Sequence, residues 1–179
     1  MPNKEDRRIK MTRRLLKDAL IEMLKTKDIY HISIRDLCEN ADVNRTTFYK
    51  YYGSQFELLA DMENDILDYI SNTVSVNESQ PEKILTSVCR YINDNLEFLR
   101  LIINNNVDPN FAKNLFAMES IKENVIKKYP NIKTNEEQEY IYNFFTYGAF
   151  RMVCVWMNKE NRESPEVFAK LVKQLILNS

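Results

Sequence analysis

Glycine and proline are scarce in this chain of 179 residues, with two of the first and five of the second, and there is a single histidine. Two isolated glycines cannot build a glycine-rich loop that cradles phosphate. One histidine, His31, has no nucleophile patterned around it, which excludes a catalytic triad or a His-rich metal site by count. The three cysteines, Cys38, Cys89 and Cys154, are odd in number and far apart, with no CxxC spacing. Each sits in an apolar helical pattern, so buried reduced thiols are expected rather than a disulfide framework or a zinc site. No apolar run approaches the length of a membrane span, and the polar start Met1–Arg8 leads into no apolar signal core. The expectation is a cytoplasmic protein without membrane segment, cofactor, metal or catalytic residue. Internal repeats and low-complexity segments are missing too.

What is present points to helices. Leu, Ile, Lys, Glu and Asn are abundant, which with so little glycine and proline favours an all-α protein of one or two small domains. The net charge is −1, but it is unevenly spread. Residues 1–55 carry 12 Lys and Arg against 8 Asp and Glu; residues 56–179 carry 13 against 18. A basic head on an acidic body is the asymmetry expected of a DNA-binding segment joined to a part that stays off DNA.

The segment from Ser33 to Tyr52 carries the strongest local signal. Ser33 can cap a helix, with Asp36 three residues on as its partner. Ile34, Leu37, Cys38 and Ala41 recur at helical spacing and define one buried face. Ala41-Asp42-Val43 reads as a turn, and Asn44 is a good N-cap for a second, short helix. That helix turns Val43 and Phe48 inward and presents Arg45, Thr46, Thr47, Tyr49 and Lys50. A helix-turn-helix sets the first residues of its second helix in the major groove, where such side chains meet base edges and phosphates.

Residues Thr12 to Leu59 resemble the N-terminal DNA-binding domain of the TetR family of bacterial transcriptional regulators. Thr46-Thr47-Phe48-Tyr49-Lys50-Tyr51-Tyr52-Gly53-Ser54-Gln55-Phe56-Glu57-Leu58-Leu59 is similar to the pattern TFYRHFKSKEELL, and Ile32-Ser33-Ile34-Arg35-Asp36-Leu37 to ITVRDIA. The chain departs from the family at Asp42, where glycine is usual, at Tyr51, where histidine is common, and at Gln55, where a lysine usually reaches a phosphate. The resemblance implies a three-helix head in residues 1–55, with an arm over 1–10, and a helical ligand-binding and dimerisation body in 56–179. It implies a homodimeric, sequence-specific repressor that binds a palindromic double-stranded operator and is released by a small-molecule effector. A co-regulator working mainly through a protein partner is the alternative. The DNA-contacting set is then Ser33, Arg35, Asn44, Arg45, Thr46, Thr47, Tyr49, Lys50 and Tyr51.

The rest of the chain is a succession of amphipathic helices. The first runs from Thr12 to about Lys27, with Arg13 and Arg14 near its start within reach of backbone phosphates; Arg7, Arg8 and Lys10 lie in the arm. Ser54 with Glu57 opens a fourth helix to about Asn72, the link from head to body. Ser79 and Pro81 start another, to about Asn105; Asp108-Pro109 opens one that closes at Tyr129-Pro130. Thr134 with Glu137 caps a long aromatic helix, and Ser164-Pro165-Glu166 starts the last.

Two assignments follow for the body. Met62, Tyr69, Tyr91, Phe98, Phe111, Met118, Tyr142 and Phe145 can line an effector cavity, with Asp65 and Glu119 favouring a cation, although aromatic and Met stripes at this spacing also serve as plain core. The aromatic helix is apolar on more than one face, and a glycine inside a helix costs about 1 kcal/mol relative to Ala unless packing requires it. Phe144, Gly148, Met152, Phe168 and Leu175 are therefore assigned to a dimer seam, as in the final helix pair of TetR-like proteins.

Overall fold

A computed structural model of the chain describes residues 4–77, 80–104, 107–108 and 110–177. Among these the protein is helical throughout, without strands. The head comprises α1 (Lys4–Leu24), a 3-10 turn (Ile29–His31), α2 (Ile34–Asn40), α3 (Arg45–Phe48) and the first part of α4 (Gln55–Val76). The body continues with α5 (Pro81–Asp94), α6 (Leu96–Asn104), α7 (Asn110–Phe116), α8 (Glu119–Ile126), α9 (Asn135–Asn158) and α10 (Pro165–Leu177). Two compact units divide the chain between Ile66 and Leu67, inside α4.

In the first unit Leu16, Leu20, Leu37, Phe48 and Leu58 are fully buried, so one apolar core joins α1 to the helix-turn-helix and to α4. Sequence set the helix starts. Ser33 Oγ accepts the Asp36 N–H at 3.1 Å, Asn44 Oδ1 accepts the Thr46 N–H at 2.8 Å, and Ser54 Oγ accepts the Glu57 N–H at 3.2 Å. Each of these satisfies a donor that the first helical turn leaves without an intrahelical partner.

In the second unit α10 packs along α5, and α9 against α6, α8 and α10. Thr134 and Glu137 close a reciprocal capping box at the start of α9. Trp156 anchors the far end: its ring is stacked on Phe168 with centroids 4.6 Å apart, and its Nε1–H donates to the Glu163 carbonyl at 2.9 Å. Arg100 donates from Nε to the Met157 carbonyl at 2.8 Å, supplying a partner to the last turn of α9.

Several boundaries differ from expectation. Residues 4–10 continue α1 rather than forming an arm. The helix expected from Pro81 to about Asn105 is interrupted at Asn95, whose side-chain amide donates to the Tyr91 carbonyl at 2.8 Å alongside its own backbone N–H at 3.1 Å. Asparagine competes for backbone partners in this way and breaks helical geometry. The following helix is also split, between α7 and α8, at the good helix formers Ala117 and Met118, so propensity does not explain that break. Ser79, Asn105 and Pro109, expected at helix boundaries, lie outside the described residues.

Candidate DNA-binding interface

The helix-turn-helix is built from short pieces that depend on their surroundings. A four-residue helix such as α3 has no stability of its own. It is held by its Asn44 cap, by the Val43 N–H donating to the Cys38 carbonyl at 3.0 Å, and by Phe48, which has no exposed surface. Backbone bonds from the Tyr51 and Tyr52 N–H groups to the Phe48 carbonyl, at 2.9 and 3.0 Å, carry the helical path beyond α3. The turn before it passes through Asp42 at φ 51°, the left-handed region in which Asp is better tolerated than most residues.

This framework leaves Asn44, Arg45, Thr46, Tyr49 and Lys50 exposed and Thr47 and Tyr51 half-buried. Five expected contact residues thus share an open surface around the N-terminus and outer side of α3. Ser33 is exposed, with its hydroxyl engaged as a helix cap. Arg35 is exposed on α2 and reaches Glu39 at 2.9 Å; that hydrogen bond, with the Glu39 charge, raises its pKa. Arg35 therefore starts from an intrahelical partner, not as a bare cation.

One constellation joins residues distant in sequence. Arg13 donates from Nε to the Tyr52 hydroxyl at 3.0 Å and forms an ion pair with Asp61, so it is not directed to a phosphate. The Tyr52 hydroxyl donates to Asp61 Oδ2 at 2.9 Å. Lys17 bridges Asp61, at 2.7 Å, and Asp65. Arg13 and Lys17 are four apart on α1, and Asp61 and Asp65 four apart on α4. A basic i,i+4 pair on one helix and an acidic i,i+4 pair on another were the signal available in the sequence. Burial pushes the Lys17 pKa down, but hydrogen bonds to Asp61 and Asp65 outweigh it and leave the ammonium above its ordinary value. Burial likewise pushes the Asp61 carboxyl up, and hydrogen bonds from Lys17 and Tyr52 bring it below 3.8 on balance.

The residues assigned to an effector occupy several different surroundings. Phe98, Phe111 and Tyr142 are core residues of the second unit, and Met62 is a core residue of the first. Tyr69 stacks on Tyr91 with centroids 3.8 Å apart, and Phe145 on Tyr129 at 5.4 Å. Met118 is half-buried at the start of α8. A surface depression of about 740 Å³ in this unit is lined by Asn77, Pro81, Glu82, Arg90 and Lys173 among others, and by none of the eight. Asp65 is engaged with Lys17, while the side chain of Glu119 lies outside the described residues.

The seam residues divide. Phe144, 74% exposed, and Leu175 are exposed, and a Cβ added at Gly148 would meet nothing within 4 Å. Met152 is half-buried. Phe168 is 4% exposed and stacked on Trp156, which makes it a core residue of the second unit.

A helix-turn-helix unit followed by a helical unit is an arrangement found in DNA-binding regulators, and similarity to known proteins narrows that class. The TetR_C_8 family, described as a transcriptional regulator C-terminal region, matches residues 79–178. The chain belongs to the TetR family of transcriptional regulators. It is 22% identical over 169 residues to YxbF, an uncharacterised HTH-type transcriptional regulator of Bacillus subtilis, covering 90% of this chain and 43% of that protein. It is 29% identical over 102 residues to DhaS, the transcriptional activator of the dhaKLM operon in Lactococcus lactis, covering 56% of this chain and 52% of that one. The chain thus spans about half the length of the curated relatives it matches. Among solved structures, a TetR transcriptional regulator from Streptococcus agalactiae has a similar fold, with a TM-score of 0.68 at 19% identity over 96% of this chain and 97% of that one. DhaS, a dihydroxyacetone kinase operon activator, has a TM-score of 0.63 at 20% identity, over 93% and 94%.

Proposed function

We propose that this TetR-family regulator works as a homodimer that reads a palindromic operator with residues 1–55 and uses residues 56–179 for dimerisation and for response to a small-molecule effector. The carrying observation is the capped α3 with Arg45 and Thr46 exposed on it and Tyr49 and Lys50 exposed just past its end. Arginine offers a bidentate donor fork to guanine, while threonine, tyrosine and lysine supply phosphate contacts. The half-buried Thr47 and Tyr51 flank this surface as phosphate contacts.

Release of a bound repressor by an effector is the simplest mode of action. A second reading, regulation acting mainly through a protein partner, draws on Gln55, which stands where a phosphate-binding lysine is usual in the family. Selection of bound fragments from the source genome, followed by gel-shift titration, separates the two. An autonomous repressor recovers a palindrome with the purified protein alone, whereas a partner-dependent regulator does not. On the recovered operator, Arg45→Ala should lose about 1–3 kcal/mol of discrimination between cognate and scrambled duplexes. Equal losses on both duplexes would remove Arg45 from base reading.

A further inference from the structure

We infer that the Tyr52 hydroxyl, clasped between Arg13 of α1 and Asp61 of α4, is a positioning device that fixes the angle of α3 for reading DNA. The inference rests on the operator-reading function proposed above. Tyr52 is 5% exposed, and its ring packs against the wholly buried Phe48 with centroids 5.8 Å apart. A buried hydroxyl must find partners or lose several hydrogen bonds with water. Here it finds two on two different helices, accepting from Arg13 Nε at 3.0 Å and donating to Asp61 Oδ2 at 2.9 Å.

Its leverage comes from where it sits. Tyr52 is attached to the end of α3 by its N–H bond to the Phe48 carbonyl. Apolar packing of Phe48 fixes the depth of α3 but is tolerant of small rotations, because dispersion contacts are non-directional. Hydrogen bonds are directional and weaken steeply when bent. The clasp therefore constrains what the core leaves loose. Lys17, paired with Asp61 at 2.7 Å and also with Asp65, holds the Asp61 carboxylate in its accepting position.

The hydroxyl is also separable from the packing. The TetR pattern TFYRHFKSKEELL has phenylalanine at the position of Tyr52, so a ring alone can fill this space. Base contacts demand tight angular placement, whereas phosphate contacts by flexible cations do not. A loosened α3 should thus lose affinity for the cognate operator while keeping its affinity for unrelated duplex.

Tyr52→Phe tests this in the full-length protein. The ratio of cognate to scrambled binding should fall about two- to tenfold, the range of one net hydrogen bond, with scrambled binding unchanged. Both proteins are measured well below their melting temperatures, with helicity matched by circular dichroism. A merely structural hydroxyl would lower the melting temperature and leave that ratio where it was, which would overturn the inference. Asp61→Asn, which leaves the ring in place, should lower the ratio in the same direction; an unchanged ratio there counts equally against the clasp. A wild-type protein that selects no duplex would overturn the functional reading itself, and this inference with it.

Discussion

Asp42 occupies the one non-glycine position of positive φ among the described residues, at 51° in the turn between α2 and α3. For an L-residue the left-handed region costs roughly 1–2 kcal/mol, less for Asp, whose short polar side chain bonds locally. Neither of the two glycines is spent here, and neither has a positive φ. Asp42→Gly removes the steric cost but adds unfolded-chain entropy, so a gain of at most about 1 kcal/mol is expected. Asp42→Val forces a β-branched side chain into the same region and should destabilise by about 1–2 kcal/mol. Urea midpoints of the two variants decide; a Val variant as stable as wild type would mean that the turn relaxes to an ordinary φ. The turn and its flanking caps were readable in the sequence because Ser33, Asn44 and Ser54 act through neighbouring backbone. Tyr52 was not, because its partners lie 39 residues back and 9 residues ahead, and only the fold joins them.

At the scale of elements, α1 and α4 are tied by charge as well as by apolar packing. Asp61 is a carboxyl whose folded pKa lies below its ordinary 3.8, since its hydrogen bonds from Lys17 and Tyr52 outweigh the opposing effect of burial. A group depressed on folding stabilises the fold above its unfolded value, and the contribution fades as pH falls through the lowered folded value. Asp61→Asn should therefore cost about 1–3 kcal/mol at neutral pH, and the gap from wild type should narrow from pH 3.8 downward. Lys17 acts at the other limit: its raised pKa stabilises below 10.5 and the benefit is lost as pH rises through the higher folded value. A gap that stays constant between pH 7 and pH 3 would show that Asp61 contributes shape rather than charge. Helix positions were largely legible from capping and periodicity, but the breaks at Asn95 and at Ala117-Met118 were not. Apolar spacing continues across both, so periodicity joins what local hydrogen bonding or packing separates.

Across the whole molecule, the feature that the single chain leaves unexplained is the outer face of α9. Tyr140, Phe144, Tyr147, Gly148, Arg151 and Val155 recur at i, i+4, i+7, i+8, i+11 and i+15, and all are exposed. Tyr140 is 75% exposed. On α10, Val167, Leu171 and Leu175 repeat the pattern at four-residue spacing. Apart from Arg151 and Gly148 these residues are apolar or aromatic, and so many of them exposed on two neighbouring helices are costly in water and suit an isologous contact with a second copy. Gly148 gives the means to test it without disturbing the protomer. Since a Cβ there meets nothing within 4 Å, Gly148→Ala should leave the fold intact and gain up to about 1 kcal/mol of helix stability. Gly148→Glu is equally harmless to one chain, but in a close helix–helix seam it brings bulk and an unpaired charge, typically costing several kcal/mol. The proposed dimer should then dissociate, and binding to the proposed palindromic operator should collapse because each head meets only one half-site, although none of the residues assigned to DNA contact has changed. Sedimentation velocity reads the first effect and a gel-shift titration on the operator the second. If Gly148→Glu remains a dimer with normal melting temperature and normal operator affinity, the exposed stripe on α9 is not the seam.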